Sequence, residues 1–363
     1  MSTKFTRFAA HARLALAGVA TLALAACSAS GTGATPTSGS TAATESKTLT
    51  VVTHDSFNVS EALLNKFKSE TGYEVKFVAP GDAGVVVNQL ILSKDSPLGD
   101  VVFGVDNTFA GRVIKAGVTV SYDSPKLPAN AANLKADDKG LLTPIDFGDV
   151  CLNVDHEWFT SHKVAEPVTL DDLTKPAYKN LLVVENAASS SPGLAFLIAT
   201  VGAKGEQGYL DYWKALKANG VKVVKGWTEA YTVDFSGSSG KGARPIVVSY
   251  STSPSAEIPK GSTKSRTGAL LQTCFRQVEY AAVIKGAKNE VGARKFIDFM
   301  LSDAVQADIP GQMYMYPVNR AIALPKEWQT NAPLSPNPIK VDPTTIGDRR
   351  EAWISAWTAV VIG

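Results

Sequence analysis

Histidine and cysteine are scarce. Four histidines and three cysteines occur in 363 residues, and no His-Glu-x-x-His, Cys-x-x-Cys or Gly-x-Ser-x-Gly is among them. Those absences remove the commonest zinc-hydrolase, dithiol and nucleophile-elbow signatures. Beyond the N-terminal segment the histidines are His54, His156 and His162. A Ser-His-Asp triad could be drawn from them only by free choice among many serines. No catalytic residue, metal ligand or cofactor is therefore expected. An excess of one charge is also missing, with 36 Lys and Arg against 34 Asp and Glu. That balance gives no footprint for a nucleic acid, and no basic block suited to a membrane patch is present.

Long apolar runs are absent apart from residues 14–26. That run follows Lys4, Arg7 and Arg13, is too short to span a bilayer, and ends Leu24-Ala25-Ala26-Cys27. A basic start, a short apolar run and a small residue before a cysteine read as a lipoprotein signal peptide over residues 1–26, with Cys27 as the acylated first residue. The alternative is ordinary secretory cleavage with Cys27 a bystander. Residues 27–47 then form an acylated Cys and a flexible tether of Ser, Thr, Gly and Ala that can bury little. One acyl chain anchors only marginally, so a stable anchor implies several. Without residues 1–26 the chain holds 33 basic and 34 acidic residues. The remaining body is expected to be soluble and monomeric. It is expected to sit on the outer face of the cytoplasmic membrane.

An exported body permits disulfides. Cys151 and Cys274 each lie in a strand-like run, and a bond between them is expected. Two separate buried thiols are the alternative, since spacing alone does not set the geometry.

The body after the tether exceeds a comfortable single core, which suggests two lobes. Lobe 1 is placed at residues 48–147, lobe 2 at 148–273, and a return to lobe 1 with C-terminal helices at 274–363. Residues 48–116 alternate strand and helix three times, the pattern of a parallel, helix-covered sheet. In open sheets of this kind ligands bind beyond the C-terminal ends of strands. His54-Asp55-Ser56 and Asp106-Asn107 fall at such ends. Residues 142–154 and 272–284 read as long extended connections between lobes. Ser190 and Ser191 precede an apolar helix, where they either cradle an anion or simply cap the helix. Residues 236–242 are Gly-rich but lack the spacing of a phosphate loop. Residues 289–301 read as an amphipathic helix with Val291, Phe296, Phe299 and Met300 on one side. Residues 309–317 read as an aromatic loop. A last apolar helix around Trp353, Ile354 and Trp357 reads as core.

The run Lys225-Gly226-Trp227-Thr228-Glu229-Ala230-Tyr231, followed by the strand Pro245-Ile246-Val247-Val248-Ser249-Tyr250, sets aromatic faces beside a polar loop. Such faces suit a flat cation, although Trp227 taken alone reads first as core. Asp55 and Asp106 suit binding an amine or balancing a cation better than acid–base chemistry.

Several blocks come in an order that carries a resemblance. They are Thr53-His54-Asp55-Ser56-Phe57, Gly99-Asp100-Val101-Val102-Phe103-Gly104-Val105-Asp106-Asn107, Ser191-Pro192-Gly193-Leu194, Lys225 to Tyr231, Ser249-Tyr250-Ser251-Thr252-Ser253-Pro254, Met315-Tyr316-Pro317-Val318 and Ala352-Trp353-Ile354-Ser355. Together they resemble the thiamine-binding subunits of bacterial ABC importers, over nearly all of residues 48–357. The resemblance implies an α/β, two-lobed periplasmic-binding-protein-like fold of type II, with a mostly parallel helix-covered sheet in each lobe and a ligand cleft between them. It implies capture of thiamine or its phosphates, delivery to ABC permease and ATPase subunits, and binding positions at His54, Asp106, Ser190, Trp227, Tyr250 and Tyr314. Neighbouring Asp55 and Ser191 are added to that set. The cage is less aromatic than the family pattern, with His54 where tyrosine is common and Tyr314 where tryptophan is typical. The rival readings are a same-fold protein for ferric iron or a polyamine, an extracellular enzyme, and a structural lipoprotein.

Overall fold

In the computed structural model, which describes residues 46–363, the first β-branched run forms strand β1 (Thr48–Val52). The signal peptide, Cys27 and nearly all of the tether lie outside the described residues. Helix α1 (Glu61–Thr71) follows, with Ser60 at its N-cap position and Gly72 closing it in the left-handed region at φ 75°. Strand β2 (Glu74–Val78), helix α2 (Ala83–Leu92), strand β3 (Val101–Asp106) and helix α3 (Ala110–Ala116) continue the alternation. A short β4 (Thr119–Val120) precedes the long β5 (Thr143–Asp155), helix α4 (His156–His162) and β6 (Leu182–Glu185).

Helix α5 (Ser191–Ala218) is interrupted at Gly205, whose φ of 72° and ψ of 164° are not helical. Strand β7 (Lys222–Val224) leads to a single turn, α6 (Trp227–Glu229), which widens into a π turn over Ala230–Asp234. Strands β8 (Ile246–Tyr250) and β9 (Thr267–Ile284) follow. The chain closes with α7 (Glu290–Met300), α8 (Asp303–Gln312), β10 (Tyr316–Pro317), α9 (Trp328–Asn331) and α10 (Pro343–Val361).

The strands run in the order β2-β1-β3-β9-β5-β8-β6-β7, with β10 on β5 and β4 on β9. The trio β2-β1-β3 is parallel, and so is the trio β8-β6-β7. Between them stand β9 and β5, antiparallel to each other and to the strand flanking each. Two parallel ends, each fed by strand–helix units, are thus tied by two long strands of 13 and 18 residues. The boundaries placed at 147/148 and 273/274 fall inside those strands.

Every residue of β5 is buried, as expected of a strand covered on both faces. Its pairing with β9 steps from Val150↔Phe275 to Leu152↔Leu270, which leaves residues 271–274 of β9 out of the ladder. Cys151 and Cys274 are disulfide-bonded at this step, with Cα atoms 4.2 Å apart. The Leu152 N–H, lacking a ladder partner there, donates to Thr273 Oγ1 at 3.0 Å. Helix α10 packs on α5 and α3, and Trp353 and Trp357 are buried, the latter edge-on to Trp213 at 5.5 Å.

Two local expectations are corrected. Val291 is 53% exposed, because the buried face of α7 is Ala293, Phe296, Ile297 and Met300. At about 100° per residue, Val291 points roughly opposite to Met300. Residues 309–312 are not loop. Helix α8 runs through Pro310 to Gln312, with Ile309 and Pro310 buried and Ser302 accepting at its start from the Val305 N–H. Burial of that turn outweighs the cost of a proline inside a helix, about 3 kcal/mol.

Candidate functional site

A cavity of about 710 Å³, part of it open to solvent, lies where the two parallel ends of the sheet face each other. His54 and Ser56 reach it from the loop after β1, Trp227 and Tyr231 from the turns after β7, and Tyr250 from the end of β8. Ser253 and Ala256 come from the turn after β8, Glu279 from β9, and Gln312, Met313, Tyr314 and Met315 from the end of α8 onward. Three of these sources are the C-terminal ends of parallel strands, where the sheet rule places ligands.

The aromatic side is ordered by its own contacts. Trp227 stacks on Tyr231 with centroids 5.0 Å apart and planes 12° from parallel, and meets Tyr250 edge-on at 6.5 Å. Its indole Nε1–H donates to Ser249 Oγ at 2.8 Å, which fixes the ring plane. Tyr231 is buried, and its hydroxyl donates to Ser253 O at 3.3 Å and Glu257 Oε1 at 3.2 Å. It therefore backs Trp227 as well as lining the cavity. Tyr250 exchanges hydrogen bonds with the Gln277 amide at 3.3–3.4 Å. Tyr314, at the mouth, is 36% exposed and holds a φ of 55°. A bulky non-glycine residue in that region is strained, and such strain concentrates at functional sites.

The floor is acidic. Glu279 is 5% exposed, with its Oε1 3.6 Å from His54 Nε2 and 3.3 Å from the Gln277 amide nitrogen. Burial first, then the charge of Asp146, pushes the Glu279 carboxyl well above the usual carboxylate range. Burial likewise raises Asp146 to about 7. His54 Nδ1 is within 2.9 Å of Ser56 Oγ. Gly104, at φ 93°, lets the imidazole lie close, since a Cβ there would sit 2.4 Å from His54 Cδ2.

Four of the eight expected ligand positions, His54, Trp227, Tyr250 and Tyr314, meet in this cavity. Asp55, Asp106, Ser190 and Ser191 do not line it. Asp55 is largely exposed beside Gly81, and partial desolvation of its carboxyl, then the charge of Asp82, raises it. Asp106 is fully buried with its acceptors taken, at 2.5 Å by the Thr108 N–H and hydroxyl and also by the Ser191 hydroxyl. Its carboxyl is raised, above all by burial. The Ser190 hydroxyl caps α5, accepting from the Gly193 N–H at 3.4 Å. The Ser191 N–H donates to Asp82 Oδ1 at 3.1 Å, so a carboxylate already occupies the start of this helix.

Two acids were missed by sequence reasoning, Glu279 in the cavity and Asp82 beside it. An acid inside the apolar run Val278-Glu279-Tyr280-Ala281 was a usable signal. Asp82 read only as the start of a helix. It does cap α2, accepting from the Ala83 N–H at 2.6 Å, and it also accepts from the Trp227 N–H at 3.0 Å. Among the described residues no group of three or more His, Cys, Asp or Glu side chains is arranged to hold a metal ion.

The profile of the bacterial extracellular solute-binding protein family matches residues 96–337. The thiamine-binding periplasmic protein of Salmonella typhimurium is 30% identical over 322 residues, covering 86% of this chain and 93% of that one. Its counterpart in Escherichia coli is 28% identical over 319 residues, with the same coverage. A solved periplasmic thiamin binding protein superposes with a TM-score of 0.75 at 27% identity, over 86% of this chain and 96% of the other. The sheet described above is the two-lobed type II periplasmic binding-protein fold.

Proposed function

The chain belongs to the bacterial extracellular solute-binding protein family, and on that premise we propose that it captures thiamine outside the cytoplasm and hands it to an ABC permease. The observation that carries this reading is a cavity walled by Trp227, Tyr231, Tyr250 and Tyr314 with the Glu279 carboxyl at its floor. Thiamine joins a cationic thiazolium to a flat aminopyrimidine and a hydroxyethyl tail. Trp227, Tyr250 and Tyr314 stack on the rings. A cation over such a face contributes about 0.5–2 kcal/mol per good contact. His54 and Glu279 offer polar partners to the pyrimidine. No bond is made or broken, and neither an enzymatic role nor a cofactor is part of the proposal.

Ligand contacts to both lobes favour the closed form, and that form docks on the permease. The protein acts as a monomer held by acylated Cys27 to the outer face of the membrane. The start of α5 at Ser190 and Ser191 receives the hydroxyl or a phosphate only by displacing Asp82, so thiamine pyrophosphate binds no more tightly than thiamine. Calorimetric titration with thiamine, its monophosphate and its pyrophosphate tests both statements. Saturable binding of thiamine supports the reading, and no heat with any of the three contradicts it.

A further inference from the structure

Behind Glu279, the acid that lines the cavity, lies a second buried acid on the neighbouring strand. Glu279 on β9 and Asp146 on β5 are register partners in neighbouring strands, and both are buried, at 5% and 0% exposure. Neither Asp146 oxygen meets a donor while both groups are ionised. A proton held between the two carboxyls supplies a hydrogen bond there. Two buried carboxyls on register-paired residues do not both ionise readily, and their titration belongs to the pair. The other titratable groups facing Glu279 are His54 from the loop after β1, Asp106 from β3 and Tyr250 from β8. Among these His54 is the one that can carry positive charge, and it stands 3.6 Å from Glu279. Gln277 is neutral and donates to Glu279 at 3.3 Å.

We propose that Glu279 and Asp146 form a carboxyl dyad that shares a proton while the cavity is empty and releases it when a cation enters, so that ligand capture is coupled to proton release. This rests on the reading of the cavity as a site for a cationic ring. In the step, the O–H bond of the protonated carboxyl breaks, its electron pair stays on oxygen and the proton passes to solvent. The incoming positive charge replaces the proton, so the net charge of the floor is unchanged. The raised titration of both carboxyls agrees with the geometry.

The probe is thiamine, titrated into the purified protein at one pH near 7 in buffers of different ionisation heat. The expected result is a buffer-dependent heat that reports proton release, with affinity rising by up to about tenfold per pH unit through the titration. Glu279→Gln and Asp146→Asn each abolish the release. Thiamine binding with identical heat in every buffer overturns the proposal, as does proton release that persists in both carboxyl variants. A second measurement needs no ligand. Infrared difference spectra of the empty protein between about pH 5 and about pH 9 show a buried protonated carboxyl that titrates. That band is altered in both carboxyl variants, and its absence from the unmodified protein overturns the dyad. If thiamine does not bind, the vitamin reading fails, and the infrared measurement decides the dyad independently.

Discussion

The Asp82 carboxylate accepts a hydrogen bond from the Trp227 backbone N–H at 3.0 Å, and so joins one parallel end of the sheet to the other. Its second oxygen accepts from the Ser191 N–H at 3.1 Å, and Asp106 adds a contact to the Ser191 hydroxyl. The approach is close enough to require glycine. A Cβ on Gly84 would lie 2.6 Å from the Ser189 carbonyl carbon, and one on Gly226 would lie 2.9 Å from Asp82 Oδ2. The lobes therefore touch directly beside the cavity, through two buried acids and the backbone that carries the principal aromatic.

Asp82→Ala removes two of those links. The ligand-free variant is expected to sample more open forms, with a larger radius of gyration by small-angle X-ray scattering than the unmodified protein. Saturating thiamine should narrow the difference. Identical scattering of the two ligand-free proteins would show that the contact does not hold the lobes together.

Trp227→Ala deletes the ring that stacks on Tyr231 and faces the cavity. Thiamine affinity should fall by at least about tenfold, roughly 1.4 kcal/mol. Trp227→Phe should retain most of it. The Nε1–H bond to Ser249 positions the ring but does not reach the ligand. Calorimetry on the two variants separates loss of the aromatic face from loss of that anchor.

Folding stability should carry the signature of Asp146. Burial raises its carboxyl from 3.8 to about 7 in the native state. Below the unfolded value both states hold the proton and its contribution is fully present. As pH climbs through the native value the folded chain must give the proton up, and that stability is lost. Asp146→Asn cannot titrate, so its urea midpoint should change less than that of the unmodified protein between about pH 5 and about pH 8. Parallel pH profiles for the two proteins would count against a buried, raised Asp146.

The disulfide closes a loop across a sequence separation of 123 residues at the step in the β5–β9 ladder. Removing a disulfide of this kind costs about 2–5 kcal/mol, chiefly by freeing the unfolded chain. Cys151→Ala with Cys274→Ala should lower the denaturation midpoint accordingly. Thiamine affinity should change little, because neither cysteine lines the cavity. Equal midpoints with and without the bond would remove it from the account.

The individual strands and most helices were legible because β-branched runs and periodic apolar positions report burial directly. The alternation over residues 48–116 and the strand over residues 245–250 were read for that reason. Pairing order was not legible. Strand β9 enters the sheet between β3 and β5 from far along the chain, and no local pattern encodes such a partner. The site divided in the same way. His54, Trp227 and Tyr250 follow strand ends, and the strand-end rule finds them. Asp106 and the serines at 190 and 191 also sit at element ends, yet their polar atoms are spent on capping and on contacts between lobes. Asp82 read only as the start of a helix because its second role depends on Trp227, 145 residues away. Glu279 was overlooked inside an apolar strand, where its significance comes from Asp146 on the neighbouring strand.

The central claim is that this cavity binds thiamine through its aromatic wall and acidic floor. Its most direct measurement is calorimetric titration of thiamine into the purified protein beside Trp227→Ala and Glu279→Gln, with folding of each checked by circular dichroism. The account predicts saturable binding to the unmodified protein and weaker binding to each folded variant. Absence of thiamine binding to the unmodified protein, or full affinity in both variants, would contradict it.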